Sequence, residues 1–121
     1  MKNNVGVIEM ILFTAADKKK LLKQGAAIQS SNINKPVVKL FTPWGRSTWL
    51  ISEIDPQDET MLYGLCDHGM GAPELGWVSL REIQSVKGPF GLKIERDRSF
   101  TPNKTLAEYA DIARWAGQIV A

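Results

Sequence analysis

Asp67 and His68 sit side by side after Cys66, and Glu74 follows seven residues later. Between Leu62 and Leu80 these polar groups share an apolar stretch with four glycines and a proline, the composition of a loop between two strands. Loops held by a rigid scaffold are where binding and catalytic groups concentrate. A thiol, an imidazole and a carboxylate in series bring nucleophilic catalysis to mind. On a strand, however, neighbours point to opposite faces, so only Cys66 and His68 share one, and a triad needs a third group converging in space. The simpler reading is a small buried cysteine beside a loop histidine. One cysteine and one histidine also fall short of a zinc ligand set.

The carboxylates make a stronger constellation. Glu53, Asp67 and Asp97 fall on strands expected to be close, and three converging carboxylates could hold Mg²⁺ or Mn²⁺ for phosphodiester cleavage. Against this, Asp and Glu beside turns are usually solvated, cap a backbone amide or pair with an arginine such as Arg96. No catalytic residue, cofactor or resident metal is therefore expected; a metal set, if present, would be Glu53, Asp67 and Asp97. Gly69, Gly71 and Gly76 fit no phosphate-loop spacing, and no lysine follows them.

Charge is unevenly spread. Residues 1–46 carry eight Lys/Arg against Glu9 and Asp17, whereas residues 47–80 carry six acids and no Lys or Arg. Such segregation can give a folded surface a basic and an acidic side. Lys18, Lys19, Lys20 and Lys23, with Lys35, Lys39, Arg46 and Trp44 at a hairpin tip, are the candidate contacts to a single-stranded nucleic acid. Trp44 and Trp115 are candidate exposed anchors for a protein partner, and Trp49 and Trp77 belong to the core.

The elements that position these groups can be read along the chain. At 121 residues one domain is expected over 1–121, with residues 1–9 a possible variable extension ahead of Met10. The apolar run from Val5 to Phe13 is broken by Glu9, too short to span a membrane, and read as a strand or extended lead-in. Thr14 and Asp17 open a helix over Ala15–Gln24 that Gly25 stops. A polar link over 29–35 follows. Strands are expected over 37–41, 48–54, 61–66, 75–78 and 91–96, with one or two helical turns between 79 and 86. Thr105 and Glu108 form a capping box for a helix ending near Trp115 or Ala116. The fold class is α+β: about five antiparallel strands, curved or rolled into an SH3-like barrel, with a helix at each end. A single cysteine gives no reason to expect an oxidising compartment, so the cytoplasm is expected.

Several of these segments together resemble domain-of-unknown-function family 2958. They are VVKLFTP (37–43), TWL (48–50) with Glu53, GLCD (64–67), Gly71 with PELG (73–76), VSL (78–80), and ERD (95–97) with Phe100. The resemblance covers about residues 10–115. It implies a small bacterial protein of plasmids and integrative conjugative elements, with no assigned activity. It also implies that His68 stands where an apolar residue is common, so a shared site would draw on Asp67, Glu74, Glu95, Arg96 and Asp97. The combined expectation is a non-enzymatic accessory protein acting through a protein partner. Single-stranded nucleic-acid binding is the first alternative, a metal-dependent nuclease the second. Binding residues would come from Asp67, Glu74, Arg96, Asp97, Trp44 and the four lysines, with no membrane association.

Overall fold

The computed structural model describes residues 12–27 and 31–121. The expected extension over residues 1–9 and the lead-in up to residue 11 lie outside them, as do residues 29 and 30 of the polar link. Helix α1 (Ala15–Ala26) begins at Thr14, whose hydroxyl accepts from the Asp17 amide while the Asp17 carboxylate accepts from the Thr14 amide. Both orphan donors of the first turn are satisfied reciprocally. Gly25 does not stop this helix. A Cβ there would lie 2.0 Å from the Ile54 carbonyl oxygen, so the glycine lets the last turn of α1 rest directly on a strand.

Five antiparallel strands follow: β1 (Val38–Phe41), β2 (Thr48–Asp55), β3 (Asp58–Asp67), β4 (Glu74–Ser79) and β5 (Glu95–Arg96). Their spatial order is β4-β3-β2-β1-β5. The expected fifth strand over 91–96 shrinks to two residues because Pro89–Gly91 forms a 3-10 turn with positive φ at Phe90 and Gly91. Strands β4 and β5 lie at opposite edges, so the sheet is open rather than closed into a barrel.

Both faces of the sheet are covered. On one, Val38, Leu40, Trp49, Ile51, Leu62 and Cys66 pack against Leu21 of α1 and against Leu80 and Ile83 of helix α2 (Leu80–Ser85). On the other, Leu50 and Leu65 meet Leu106, Tyr109, Ala110 and Ala113 of helix α3 (Leu106–Ala116). This double burial explains why Trp49 to Ile54 is buried throughout instead of alternating. A register shift between Ile51 and Glu53 brings Ile54 back to the face of Ile51. The buried Glu53 accepts from Asn34 Nδ2 at 3.4 Å.

Helix α3 has its expected Thr105–Glu108 capping box and ends at Gly117 in the left-handed conformation. Trp49 is buried as expected, but Trp77 is half exposed on edge strand β4, its ring edge against Tyr63 at 5.2 Å. None of the described helices is long and apolar enough to cross a membrane.

Candidate binding site at the hairpin end

The β1–β2 hairpin turn is the centre of the most developed surface. Thr42 closes it twice: its amide donates to the Ser47 carbonyl at 3.1 Å, and its hydroxyl accepts from the Ser47 amide at 3.1 Å. The turn carries Trp44, Gly45 and Arg46, and separates two cavities that share Thr42, Gly45 and Ser47.

The first cavity, about 450 Å³, is walled by Lys39, Arg96 and Arg98 with the hydroxyl residues Thr42, Ser47 and Thr48. Asp97 is its one acid. Lys39 Nζ is 3.3 Å from Asp97 Oδ2 and donates to the Ala121 oxygen at 2.8 Å. Asp97 also accepts from the Ser99 amide, so this pair is largely satisfied. Arg96 is different. Its Nη1 stands 3.8 Å from Asp17 Oδ2, yet it is buried and makes no hydrogen bond. Its charge is therefore balanced by Asp17, although that nitrogen's hydrogen-bonding capacity is left unused.

The second cavity, about 340 Å³, is lined by Trp44, Trp49, His68, Arg46, the α2 residues Glu82 and Ile83, and Val86 just after that helix. The exposed His68 ring stands edge-on to Trp49, centroids 6.2 Å apart. Trp44 is half-buried against the core rather than a free anchor, and Gly88 presses on its ring so closely that a Cβ would lie 2.4 Å from it. Gly69, at φ 75°, sits against Arg46: a Cβ there would come within 2.8 Å of the arginine's. The glycine loop after β3 is therefore built against the hairpin turn.

Strand register separates the residues the sequence singled out. Arg96, Leu40, Trp49, Cys66 and Glu74 form one row across all five strands, placing Arg96 and Glu74 at opposite edges, about 19 Å apart. Glu53 pairs with Tyr63 and Asp67 with Thr48, so those two carboxylates are about 13 Å apart along β3. Asp97, beyond β5, is three strands from Asp67. The three therefore do not converge, and among the described residues no group of three His, Cys, Asp or Glu could hold a metal.

The residues that invited catalysis have structural duties. Asp67, 2% exposed, accepts from the Gly69 amide at 2.8 Å and the Ile119 amide at 2.9 Å, shaping the loop and tethering the segment after α3. Burial, with the nearby Glu74 charge adding to it, pushes the Cys66 thiol up to about 11. It stays a thiol at neutral pH, the wrong state for a nucleophile.

Of the four α1 lysines, Lys18 pairs with Glu59 at 3.2 Å beside the β2–β3 turn, the end of the sheet opposite the hairpin. None of the four lines either cavity. The hairpin end thus gathers Trp44, Lys39, Arg46, Arg96 and Asp97 of the expected residues, and adds Arg98 and the His68 ring. Arg98 and His68 lie outside the basic segment; for Lys39 and Arg46 the available signal was charge segregation. Its outcome is a basic hairpin end facing away from an acidic turn at Asp55, Asp58 and Glu59.

No curated protein and no solved structure was found to match the chain. The family described as protein of unknown function (DUF2958) matches residues 12–120, a span that includes the whole hairpin end, both helical layers and the segment tethered by Asp67, and the chain belongs to that family.

Proposed function

We propose that this protein is a non-catalytic module that binds single-stranded nucleic acid at the hairpin end. The observation that carries this reading is the shared turn: cations and hydroxyls with Asp97 wall one side, Trp44 and His68 with Glu82 the other. A single strand asks for both, phosphate contacts along its backbone and aromatic faces for its bases. Arg96 and Arg98 supply forked donors suited to phosphate oxygens, and Arg46 borders the aromatic side. Duplex DNA hides its base faces, so the reading requires a preference for single strands. Fluorescence anisotropy with a labelled oligo-dT and a duplex of equal length tests it. Tighter binding to oligo-dT is expected; equal or absent binding to both would sink the reading.

A second reading, protein binding, is favoured by a separate observation. Strand β4 is an edge, no other strand covers it among the described residues, and Trp77 stands half exposed upon it. An extended segment of a partner could add there as a sixth strand. A photo-crosslinking residue at Trp77 should then capture a discrete protein in the host, insensitive to nuclease, while the same residue at Lys19 captures none. Either mode would suit a cytoplasmic accessory protein of mobile genetic elements, a role whose only support is the family resemblance.

A further inference from the structure

The segment between α2 and β5 contains the one non-glycine residue with positive φ among those described. Phe90 has φ 58° and ψ 27°, and its side chain is fully exposed. The left-handed conformation is unfavourable for a residue with a Cβ, and the Phe90 ring recovers nothing by packing. Local strain that repays nothing in the fold points to a role outside it.

The turn bearing Phe90 is firmly braced. The Gly88 amide donates to the Leu92 carbonyl at 2.7 Å, and the Leu92 amide to the Pro89 carbonyl at 3.1 Å. Gly88 lies against the Trp44 ring, which holds the turn beside the aromatic cavity. Lys87 and Lys93 flank the turn, both exposed and neither ion-paired among the described residues.

We infer that Phe90 is a stacking platform for an unpaired base, held at the rim of the aromatic cavity, with Lys87 and Lys93 positioned for adjacent phosphates. A protein hot spot usually sits within a sheltered ring of contacts. A fully exposed aromatic three residues from an exposed lysine on each side instead matches the alternation of base and phosphate along a strand. This inference rests on the nucleic-acid reading and adds a contact outside both cavities.

The test uses oligo-dT carrying one 2-aminopurine, with the wild-type chain and Phe90→Ala, Phe90→Gly and Phe90→Trp. Stacking predicts quenching of 2-aminopurine by the wild type and by Phe90→Trp. Phe90→Ala and Phe90→Gly should lose most of that quenching and bind about ten-fold more weakly. Phe90→Gly removes a strained Cβ and no packing, so its melting temperature should match or exceed that of the wild type. If the wild type binds and Phe90→Ala binds and quenches equally well, the Phe90 inference fails while the site at the hairpin stands. If the wild type does not bind at low salt, both fail. A melting temperature several degrees lower for Phe90→Gly would overturn the claim that the ring is free of the fold.

Discussion

Replacing Asp67 by Asn separates a structural duty from a recognition role. The carboxylate is nearly inaccessible and accepts two backbone amides, Gly69 at 2.8 Å and Ile119 at 2.9 Å. Hydrogen bonds to a charged acceptor contribute about 1.5–3 kcal/mol each. Asparagine keeps one oxygen, which can retain the Gly69 bond. Its amide nitrogen then faces the Ile119 N–H, donor against donor. Asp67→Asn should therefore cost about 2–3 kcal/mol, a fall in melting temperature on the order of 10 °C for a chain this size. Urea denaturation gives the energy, and amide exchange by NMR locates it: Ile119 should exchange at least about ten-fold faster, a change equivalent to losing roughly 1.4 kcal/mol of protection. The folded fraction should still bind oligo-dT like the wild type. A loss below about 0.5 kcal/mol with Ile119 protection intact would refute the reasoning, because the tether would then contribute no more than an ordinary surface group.

Three further outcomes follow from named contacts. Because the Cys66 thiol is pushed up to about 11 in the fold against an ordinary 9.0, the folded state holds its proton longer than the unfolded one; stability should fall as pH rises from about 9 through about 11. Urea midpoints across that range should show this step, and Cys66→Ala should remove it. Gly88→Ala forces a methyl to 2.4 Å from the Trp44 ring and should cost about 1–3 kcal/mol, with a change in tryptophan emission as that ring moves. The Glu108 carboxyl is held below its usual 4.5, first by the Thr105 backbone hydrogen bond, so its contribution is present above pH 4.5 and disappears as pH falls through the lowered value; Glu108→Gln should be less stable than wild type at pH 7 and converge with it in acid.

The parts of this fold legible in the sequence are those written over three or four residues. Thr14 with Asp17 and Thr105 with Glu108 each satisfy donors within a single turn, so the residue types alone announce the helix starts. The hairpin turn and the apolar strands up to Trp77 are local in the same sense. What failed to show depends on contacts across the chain. Gly25 looks like a helix stop, and only the closeness of Ile54 reveals it as a packing glycine. Trp77 has the pattern of a core residue, but its strand is an edge, and strand order is not written in any window. The candidate site is the clearest case. Arg96 and Arg98 reach the Thr42–Ser47 turn because β5 pairs with β1 rather than with β4, its nearer neighbour in sequence. The lysine run on α1 drew attention through density, while the four cations lining the cavities, Lys39, Arg46, Arg96 and Arg98, are spread over three separate segments.

The salt dependence of oligo-dT binding tests the central claim most directly. Each phosphate contact to a single strand contributes about −0.7 to the slope of log K against log salt. For the wild type, a linear fall in affinity with salt is expected. Arg46→Glu with Arg98→Glu, two exposed positions at the hairpin end, should weaken binding and flatten the slope by roughly 1.4. Lys19→Glu, Lys20→Glu and Lys23→Glu together should leave the slope close to that of the wild type. No binding at low salt, or a slope that flattens with the α1 lysines and not with the hairpin arginines, would contradict the account.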